Sequence, residues 1–365
     1  MLTRVYIDNF RSFVNFEYKP AKKHLLLGAN GSGKSSLLEA IRYVKGFIAS
    51  AETPFTQSTR TRWQDRPLQV VEIDALLEGH EYQYRIETRF DSDTRQPSVN
   101  MESLKVSGTT AFNRTNEVLR FFSDSGSQET AKPPDSSRSA LHLSQLSNPY
   151  VGRFMHWLSS VYCFEIDAYF DAMDEPVDSG ESQPDFELGN FPSWYRYLLQ
   201  SQPADNVNFL RAVKETLDEF QELRFYSTGS SAERLRAVFR VSTGELVNYS
   251  LSELSDGQRC LIGLYAILHF LIMKGRTIFI DEPDNFISLR EIQPWLQAAE
   301  EAVEDHQGQL ILISHHPEIL NQWAVKHGLR FFREDNGHVR TEKFKTDPKG
   351  DLQPSELIAR GWENA

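Results

Sequence analysis

A glycine-rich segment near the N-terminus has the residue types and spacing that favour phosphate binding. Residues 28–35 read Gly-Ala-Asn-Gly-Ser-Gly-Lys-Ser and match the pattern G-x-x-x-x-G-K-[ST]. In such a loop the backbone N–H groups point at phosphate oxygens, and glycine lets the backbone turn and come close to them. Lys34 is expected to contact the β and γ phosphates of a nucleotide, and the Ser35 hydroxyl to bind Mg²⁺. The other residues expected around the phosphates are Asn30, Gly31, Ser32, Gly33 and Ser36, the last as a helix residue without a role at the metal.

Two neighbouring carboxylates end an apolar segment much later in the chain. Residues 277–281 read Thr-Ile-Phe-Ile-Asp, which is typical of a buried parallel strand that ends in a carboxylate. Asp281 is expected to hold Mg²⁺ through water, opposite Ser35, and Glu282 to orient or deprotonate an attacking water. A strand-terminal Asp-Glu pair is weak evidence by itself, and the phosphate loop upstream gives it weight.

Residues 254–258, Leu-Ser-Asp-Gly-Gln, open a strongly apolar helix and offer a second anion site. Ser255 and the backbone of Gly257 lie at the helix start, where N–H groups and the helix dipole favour a negative charge. A single subunit has no evident use for two such sites. Two copies docked head to tail would use both, because the 254–258 segment of each copy could cap the γ-phosphate on the other copy's phosphate loop.

The elements predicted around these residues are strands and helices joined by short connections. A strand at 24–27 runs directly into the phosphate loop, and apolar residues at helical spacing follow over 35–48, which is the context that the motif requires. The remaining strands are predicted at 5–7, 14–18, 68–77, 82–90, 99–106, 118–122, 234–241, 245–251 and 309–313, with a small hairpin within 331–344. Helices are predicted at 149–159 and 205–223, and loops at 123–139 and 171–192.

Composition limits the classes of protein that fit this pattern. The chain has 365 residues, of which 40% are hydrophobic, enough to build one large α/β domain or two ordinary ones. No segment has the length and apolar character of a membrane span, and the N-terminus lacks a signal-peptide core, which predicts a cytoplasmic protein with no membrane partner. Cys163 and Cys260 lie in apolar patterns and are expected to be buried free thiols.

The net charge is −12, and it is unevenly distributed. An acidic chain repels nucleic acid over most of its surface, although a local basic groove can still bind it. Between Arg153 and Arg196 there is no Lys or Arg, whereas nine Asp and Glu occur. This stretch is either a solvated acidic loop or a surface for a basic protein partner.

In type and order, these motifs resemble the ABC-type ATPase heads of the RecF, SMC, SbcC and OLD group. Residues 7–13, Ile-Asp-Asn-Phe-Arg-Ser-Phe, are similar to the group's N-terminal strand and turn, whose arginine often reaches the nucleotide, so Arg11 is a candidate. The class places a histidine at the γ-phosphate, and His315 is the better candidate, with His316 the runner-up. For the class's glutamine near the nucleotide and the metal, Gln145 is preferred and Gln64 is the alternative.

The compact OLD-like branch is the most similar part of this group. Residues 281–285, Asp-Glu-Pro-Asp-Asn, and 314–317, Ser-His-His-Pro, carry that likeness. The short stretch 318–365 is not expected to hold the nuclease domain of OLD proteins. The resemblance therefore implies a separately encoded effector, such as a nuclease or toxin, controlled in prokaryotic anti-phage defence.

The expected fold is α/β, a phosphate-loop ABC-type ATPase head with a mixed β core, an antiparallel N-terminal sheet and a helical lobe. The expected division is 1–140 for the first ATPase lobe, 141–255 for the helical lobe, 256–345 for the ATPase core and 346–365 for a C-terminal tail. The resemblance implies ATP and Mg²⁺ as cofactors, and a homodimer that closes around two ATPs and opens on hydrolysis. The alternative is a RecF-like DNA-repair ATPase, with basic residues available at Lys22, Lys23, Arg60, Arg62 and Arg66.

Overall fold

The structure is a computed structural model of the chain. It describes residues 1–50, 55, 59–90, 97–122, 127–133, 138–144, 148–166, 174–227, 229, 232–346 and 352–361. The chain divides into two compact units. The first comprises Met1–Val161 and His327–Lys345, and the second comprises Tyr162–Lys326 and Thr346–Ala365.

Both units contain strands and helices. The strands are β1 (Leu2–Asp8), β2 (Phe16–Tyr18), β3 (Lys23–Leu27), β4 (Leu68–Leu77), β5 (His80–Phe90), β6 (Pro97–Val106), β7 (Thr109–Thr115), β8 (Leu119–Phe122), β9 (Gln128–Ala131), β10 (Val161–Glu165), β11 (Phe220–Ser227), β12 (Glu233–Arg240), β13 (Leu246–Ser250), β14 (Thr277–Asp281), β15 (Gln309–Ile313), β16 (Gly328–Arg333) and β17 (Val339–Lys343). The helices are α1 (Lys34–Ser50), α2 (Leu141–Ser144), α3 (Pro149–Ser159), α4 (Phe191–Ser201), α5 (Pro203–Thr216), α6 (Asp256–Phe270), α7 (Leu289–Asp305), α8 (Pro317–His327) and α9 (Pro354–Ala359).

An antiparallel sheet dominates the first unit. Its strand order is β2-β1-β4-β5-β6-β7-β8-β9. Side chains alternate between the two faces, so Val5 and Ile7 of β1 are buried together with Ile73 and Val71, their partners on β4. This sheet confirms the predicted antiparallel N-terminal sheet.

The phosphate loop lies between β3 and α1 in the same unit. Strand β3 pairs in parallel with β16, and β16 pairs antiparallel with β17. Residues 25–27 of β3 are all leucines and are buried, as are Leu37, Leu38 and Ile41 on one face of α1. These apolar faces pack the strand and the helix into the core, so both ends of the loop are fixed.

The second unit contains buried parallel strands between helices. Strands β10, β14 and β15 are neighbours in that order, β14 and β15 are parallel, and every residue of β14 and β15 is buried. Helix α6 is buried from Cys260 to Phe270, whereas α7 buries one face and begins with a capping box between Ser288 and Glu291. A second, antiparallel sheet has the order β11-β12-β13.

The predicted helix at 205–223 is wrong at its C-terminal end. Helix α5 stops at Thr216, Leu217 is extended, and Glu219 takes a φ of 66°. Phe220 then begins β11 and pairs with Phe239 of β12. The apolar residues of 217–223 fit helical spacing, but pairing with β12 satisfies their backbone groups in a sheet instead.

Other elements were absent from the sequence prediction, and two further predictions hold. Helix α4 and strands β7, β9 and β10 were not predicted, and β9 lies inside the predicted loop at 123–139. Cys163 and Cys260 are buried free thiols, as expected. Among the described residues no helix is long and apolar enough to cross a membrane. The division into four segments stays a prediction.

Candidate nucleotide-binding site

Three glycines determine the shape of the phosphate loop. Gly28, Gly31 and Gly33 have φ values of 137°, 75° and 109°, which L-residues rarely adopt. A Cβ at position 28 would lie 2.2 Å from the backbone oxygen of Phe331 in β16, and one at position 33 would lie 3.1 Å from a methyl group of Val339 in β17. The loop therefore approaches β16 and β17 as closely as the absence of side chains allows.

The loop's polar groups converge where its motif predicts phosphate. Lys34 is the first residue of α1, is buried, and its Nζ donates to the carbonyl oxygens of Gly28 at 2.7 Å and Ala29 at 3.3 Å. The buried Ser32 hydroxyl makes no hydrogen bond with the residues that the structure describes. Asn30, Gly31 and Ser35 are exposed, and Ser36 is half-buried. A cation, an unsatisfied buried hydroxyl and a helix N-terminus are groups that fit a nucleotide phosphate.

Arg11 lies in the turn after β1 and is paired with the phosphate-loop helix. Its Nη2 is 2.5 Å from Oε1 of Glu39 in α1, and its Nε donates to the other carboxylate oxygen at 3.0 Å. Burial acts to raise the pKa of Glu39, but its hydrogen bonds and the nearby Arg11 outweigh burial and lower it. Glu39 lies four residues after Ser35, so this bidentate pair holds Arg11 one helical turn from the loop.

The turn that carries Arg11 is fixed by Asn9. Asn9 has a φ of 57°, and its Nδ2 donates to the backbone oxygens of Arg66 and Leu68, at 2.7 Å each. Its Oδ1 accepts from the backbone N–H of Thr61 at 3.3 Å. The turn and the 59–67 connection therefore form one hydrogen-bonded assembly in the first unit.

In the second unit, Asp281 ends β14 and Glu282 leaves it in a strained conformation. Asp281 is buried, and Glu282 has a φ of 49°. The backbone N–H of Glu282 donates to the Ile313 oxygen at 2.8 Å, and its carboxylate accepts from Asn285 Nδ2 at 2.9 Å. A left-handed backbone conformation at a glutamate costs roughly 1–2 kcal/mol of stability, so these contacts must hold Glu282 in place.

The two histidines after β15 have different roles. His316 Nδ1 accepts from the backbone N–H of Glu318 at 3.2 Å, which makes His316 part of the N-terminus of α8, whereas the side chain of His315 is exposed. Ser314 is buried, and its hydroxyl donates to Asp284 at 2.6 Å. Burial raises the pKa of Asp284, and the Ser314 hydrogen bond opposes that shift. The choice of His315 over His316 as the functional histidine stays a prediction.

Segment 254–258 starts α6 with a complete capping box. The Ser255 hydroxyl accepts from the Gln258 N–H at 3.3 Å, and the Gln258 side chain accepts from the Ser255 N–H at 3.0 Å. A Cβ at Gly257 would lie 2.6 Å from the backbone oxygen of Phe286, in the turn that follows Glu282. Glycine is therefore required here by close approach of another backbone segment, because its φ is not positive.

The two glutamine candidates differ in how far the structure describes them. Gln145 lies outside the described residues. Gln64 is half-buried, and its backbone N–H donates to Thr61 at 3.2 Å.

Sequence reasoning did not find Glu39, Asn9 or the carbonyl of Phe286. A carboxylate one turn after the phosphate loop was the available signal for Glu39. The other two act through backbone contacts that leave no residue pattern. The sequence-predicted residues divide between the units: Arg11 and the phosphate loop lie in the first, and Asp281, Glu282, His315, Ser255 and Gly257 lie in the second.

A strand, a glycine-shaped phosphate loop and a helix, with a buried strand that ends in Asp281, define an α/β phosphate-loop ATPase fold. A family model described as "AAA domain, putative AbiEii toxin, Type IV TA system" matches residues 23–321. The chain belongs to this family.

Comparison with solved structures shows the SMC head fold. A crystal structure of an SmcHead bound to the C-winged helix domain of ScpA has a TM-score of 0.58 and 12% identity, and the match covers 93% of this chain and 97% of that one. An SMC head domain from Thermotoga maritima has a TM-score of 0.48 and 14% identity, with 94% and 99% covered. No curated protein matches the chain in sequence. The predicted resemblance to ABC-type ATPase heads is confirmed at this level.

Proposed function

We propose that this protein binds and hydrolyses ATP as an ABC-type head that closes as a homodimer around two nucleotides. The observation that carries the proposal is the phosphate loop of a family ATPase, in which Lys34 and the unsatisfied hydroxyl of Ser32 converge under a backbone shaped by three positive-φ glycines. This arrangement supplies a cation and hydrogen-bond donors to a triphosphate.

The donor set suits Mg²⁺ held together with a nucleotide. Among the described residues no group of three or more His, Cys, Asp or Glu could hold a metal ion by itself. Mg²⁺ in nucleotide sites takes one or two protein ligands and several oxygens from phosphate and water, and the sequence motifs assign Ser35 and Asp281 as these ligands. When bound, the ion would neutralise charge that develops on the phosphate oxygens.

Five side chains of the chain are assigned roles in hydrolysis. Lys34 binds the β and γ phosphates, and Glu282 orients the attacking water and accepts its proton. His315 contacts the γ-phosphate from the end of β15, and Arg11 reaches the nucleotide when its pair with Glu39 opens. Gln145 or Gln64 completes the contacts to the metal and its water.

The dimer follows from the second anion site. Ser255 is exposed at the N-terminus of α6, whose N–H groups and dipole favour a negative charge. In a head-to-tail pair, Ser255 and the Gly257 backbone of each copy cap the γ-phosphate of the other. ATP would then stabilise the closed state because it contacts both copies only there.

The test is the solution mass of Glu282→Gln, measured by light scattering with and without Mg-ATP. The substitution slows hydrolysis while leaving phosphate binding intact, so ATP is expected to convert the chain to a tighter dimer. A matched Glu282→Gln/Lys34→Ala protein should not respond, because Lys34 is the phosphate ligand. A mass that ATP does not change in Glu282→Gln would refute nucleotide-driven dimerisation.

We also propose that the switch controls a separately encoded effector in prokaryotic defence, as in compact OLD-like systems. The family description names a toxin–antitoxin system, and the similar SmcHead structure has a separate winged-helix domain bound. Both support a head that acts on another chain. Co-expression with the products of neighbouring genes, followed by purification with and without Mg-ATP, tests this. A chain that purifies alone in every nucleotide state would contradict the proposal.

A DNA-binding ATPase is the second candidate, and one loop favours it. Arg60, Arg62 and Arg66 lie in the connection held by Asn9, and Trp63 beside them is 47% exposed. Arginines with an exposed aromatic ring can contact phosphates and stack on bases. Replacing Arg62 and Arg66 by alanine should lower duplex affinity and reduce its salt dependence by about two charges. Affinity that these changes do not alter would remove this candidate.

A further inference from the structure

A groove of about 720 Å³ lies in the second unit between α5, α6 and α7. Its lining is mixed, and the apolar side chains in it include Leu268, Met273 and Ala298. The polar and charged groups in it include Glu215 and Asp218 at the end of α5 and Arg290 and Glu291 at the start of α7. None of the residues assigned to hydrolysis lines the groove.

Carboxylates outnumber cations around the groove. Glu215 and Asp218 are exposed, and among the described residues neither has an ion-pair partner. Glu291 accepts hydrogen bonds from Ser288 within the capping box of α7, and Arg290 is the one cation that lines the groove. Glu215 and Asp218 therefore remain available to a positively charged group that enters from outside.

His269 adds a polar group to the lining of the groove. It is only 8% exposed, and within the described part of the chain no hydrogen bond reaches its ring, although the ring contacts Phe209 edge-on. Burial lowers the pKa of His269 to about 4, so it is neutral at physiological pH despite the opposing charge of Asp205. A neutral imidazole that lines the groove offers one donor and one acceptor to an occupant.

We propose that this groove is the docking site for a positively charged amphipathic helix of a separate protein. Leu268, Met273 and Ala298 offer apolar contacts to the apolar face of such a helix, and Met273 can adapt its shape to the side chains that enter. Lys or Arg residues at its edges would meet Glu215 and Asp218. A second copy of this chain, which carries a net charge of −12, and nucleic acid are both repelled by the same carboxylates.

The groove is built on the same helices as the proposed dimer contacts. Ser255 caps helix α6, which reaches the groove at Tyr265. Helix α7 begins three residues after Phe286, whose carbonyl lies close to Gly257. If the two heads close on ATP, a point that rests on the proposed function, the ends of both helices are held at the nucleotide. Helix docking and ATP binding are then coupled.

Binding is tested with a defined pair of peptides. A 16-residue helical peptide has leucines at i, i+3, i+4 and i+7 spacing on one face and lysines beside them, and its partner has glutamate in place of lysine. Fluorescence anisotropy on the nucleotide-free chain should show the lysine peptide binding about tenfold more tightly. Equal affinity for the two peptides would overturn the proposal.

Variants locate the binding site. Glu215→Lys/Asp218→Lys should lower the affinity for the lysine peptide about tenfold. Ala298→Trp, which fills the groove, should lower it by a similar factor. The matched control is Asp178→Lys/Asp305→Lys, which changes the net charge equally at exposed positions outside the groove and should leave affinity within about twofold. If the control loses as much peptide affinity as the groove variant, the peptide binds elsewhere and the proposal is overturned. Unchanged peptide affinity in Ala298→Trp would overturn it in the same way.

Coupling is tested with Glu282→Gln, by measuring the lysine-peptide affinity with and without Mg-ATP. A change of about threefold or more supports coupling. If Mg-ATP dimerises this protein without changing the peptide affinity, coupling is refuted and the proposed function stands. If Mg-ATP does not dimerise Glu282→Gln but the groove variants still lower the peptide affinity, the proposed function fails and the docking site stands.

Discussion

Replacing each glycine of the phosphate loop by alanine should give a graded loss of stability that the backbone geometry sets. At Gly28, an alanine would combine a φ of 137° with a Cβ only 2.2 Å from the Phe331 carbonyl oxygen. The φ strain costs roughly 1–3 kcal/mol, and the backbone overlap about 1–3 kcal/mol more. At Gly31, where φ is 75° and nothing lies within 4 Å of the added Cβ, only the strain term remains.

Gly33 falls between these extremes. Its φ is 109°, but the added Cβ would meet side-chain atoms of Val339 and Phe13 at 3.1–3.4 Å, which can give way more easily than a backbone oxygen. Every glycine-to-alanine change also raises the free energy of unfolding by about 0.4–1 kcal/mol, because alanine restricts the conformations of the unfolded chain. The net losses expected are therefore about 2–5 kcal/mol at Gly28, about 1–3 at Gly33 and about 0.5–2 at Gly31.

The assay is thermal and urea unfolding of the nucleotide-free proteins, so that lost ligand binding does not contribute. At about 2–4 °C per kcal/mol, Gly28→Ala should lower the Tm by several degrees more than Gly31→Ala. ADP binding, measured separately by calorimetry, should weaken in all three because the loop cannot keep its shape. Equal destabilisation at Gly28 and Gly31, or a neutral Gly28→Ala, would refute the close approach of the loop to β16.

Three further outcomes follow from side chains with defined partners. Glu39→Gln should release Arg11 and tighten ATP binding by about three- to tenfold, and calorimetry showing weaker or unchanged binding would exclude Arg11 as a nucleotide ligand. Glu102→Ala should lower the free energy of urea unfolding by about 3–5 kcal/mol, because the fully buried carboxylate accepts three hydrogen bonds; a loss below 1 kcal/mol would contradict this. Burial lowers the pKa of His24 and of His269 to about 4, so the unfolded chain binds more protons and stability should fall as the pH drops from about 6.5 towards 4. The free energy of unfolding, measured by urea unfolding, should fall less steeply with pH over this range in His269→Gln, by up to about 1.4 kcal/mol per pH unit. An unchanged slope would contradict the buried neutral imidazole.

Elements with strong local patterns were predictable from the sequence. Strands β14 and β15 have the predicted bounds, because their continuous apolar runs of three and four residues, next to polar neighbours, are typical of buried parallel strands. Helix α1 begins one residue before its predicted start, since its apolar spacing and the loop motif agree. The hairpin of β4 and β5 was found from alternation on both sides of a Glu-Gly turn.

Elements whose identity depends on a distant partner were not predictable. Residues 220–223 have helical apolar spacing but form β11, because β12 is available to pair with them. Helix α4 was not predicted, although Trp194 and Tyr195 are buried in the second unit. Periodicity within a segment cannot report which of two structures a neighbouring element will stabilise.

The sequence by itself determined which residues are candidates for nucleotide chemistry and the strands and helix next to them. Lys34, Ser35, Asp281 and Glu282 were recognisable because nucleotide chemistry needs fixed residue types at fixed spacing from a strand or a helix. Tertiary structure decided which groups surround them. The contact of Gly28 with Phe331 joins residues 303 positions apart, and the groove lined by His269 joins three helices. Such contacts depend on how side-chain volumes and backbone groups pack across the whole unit, and no local pattern of residues records that packing.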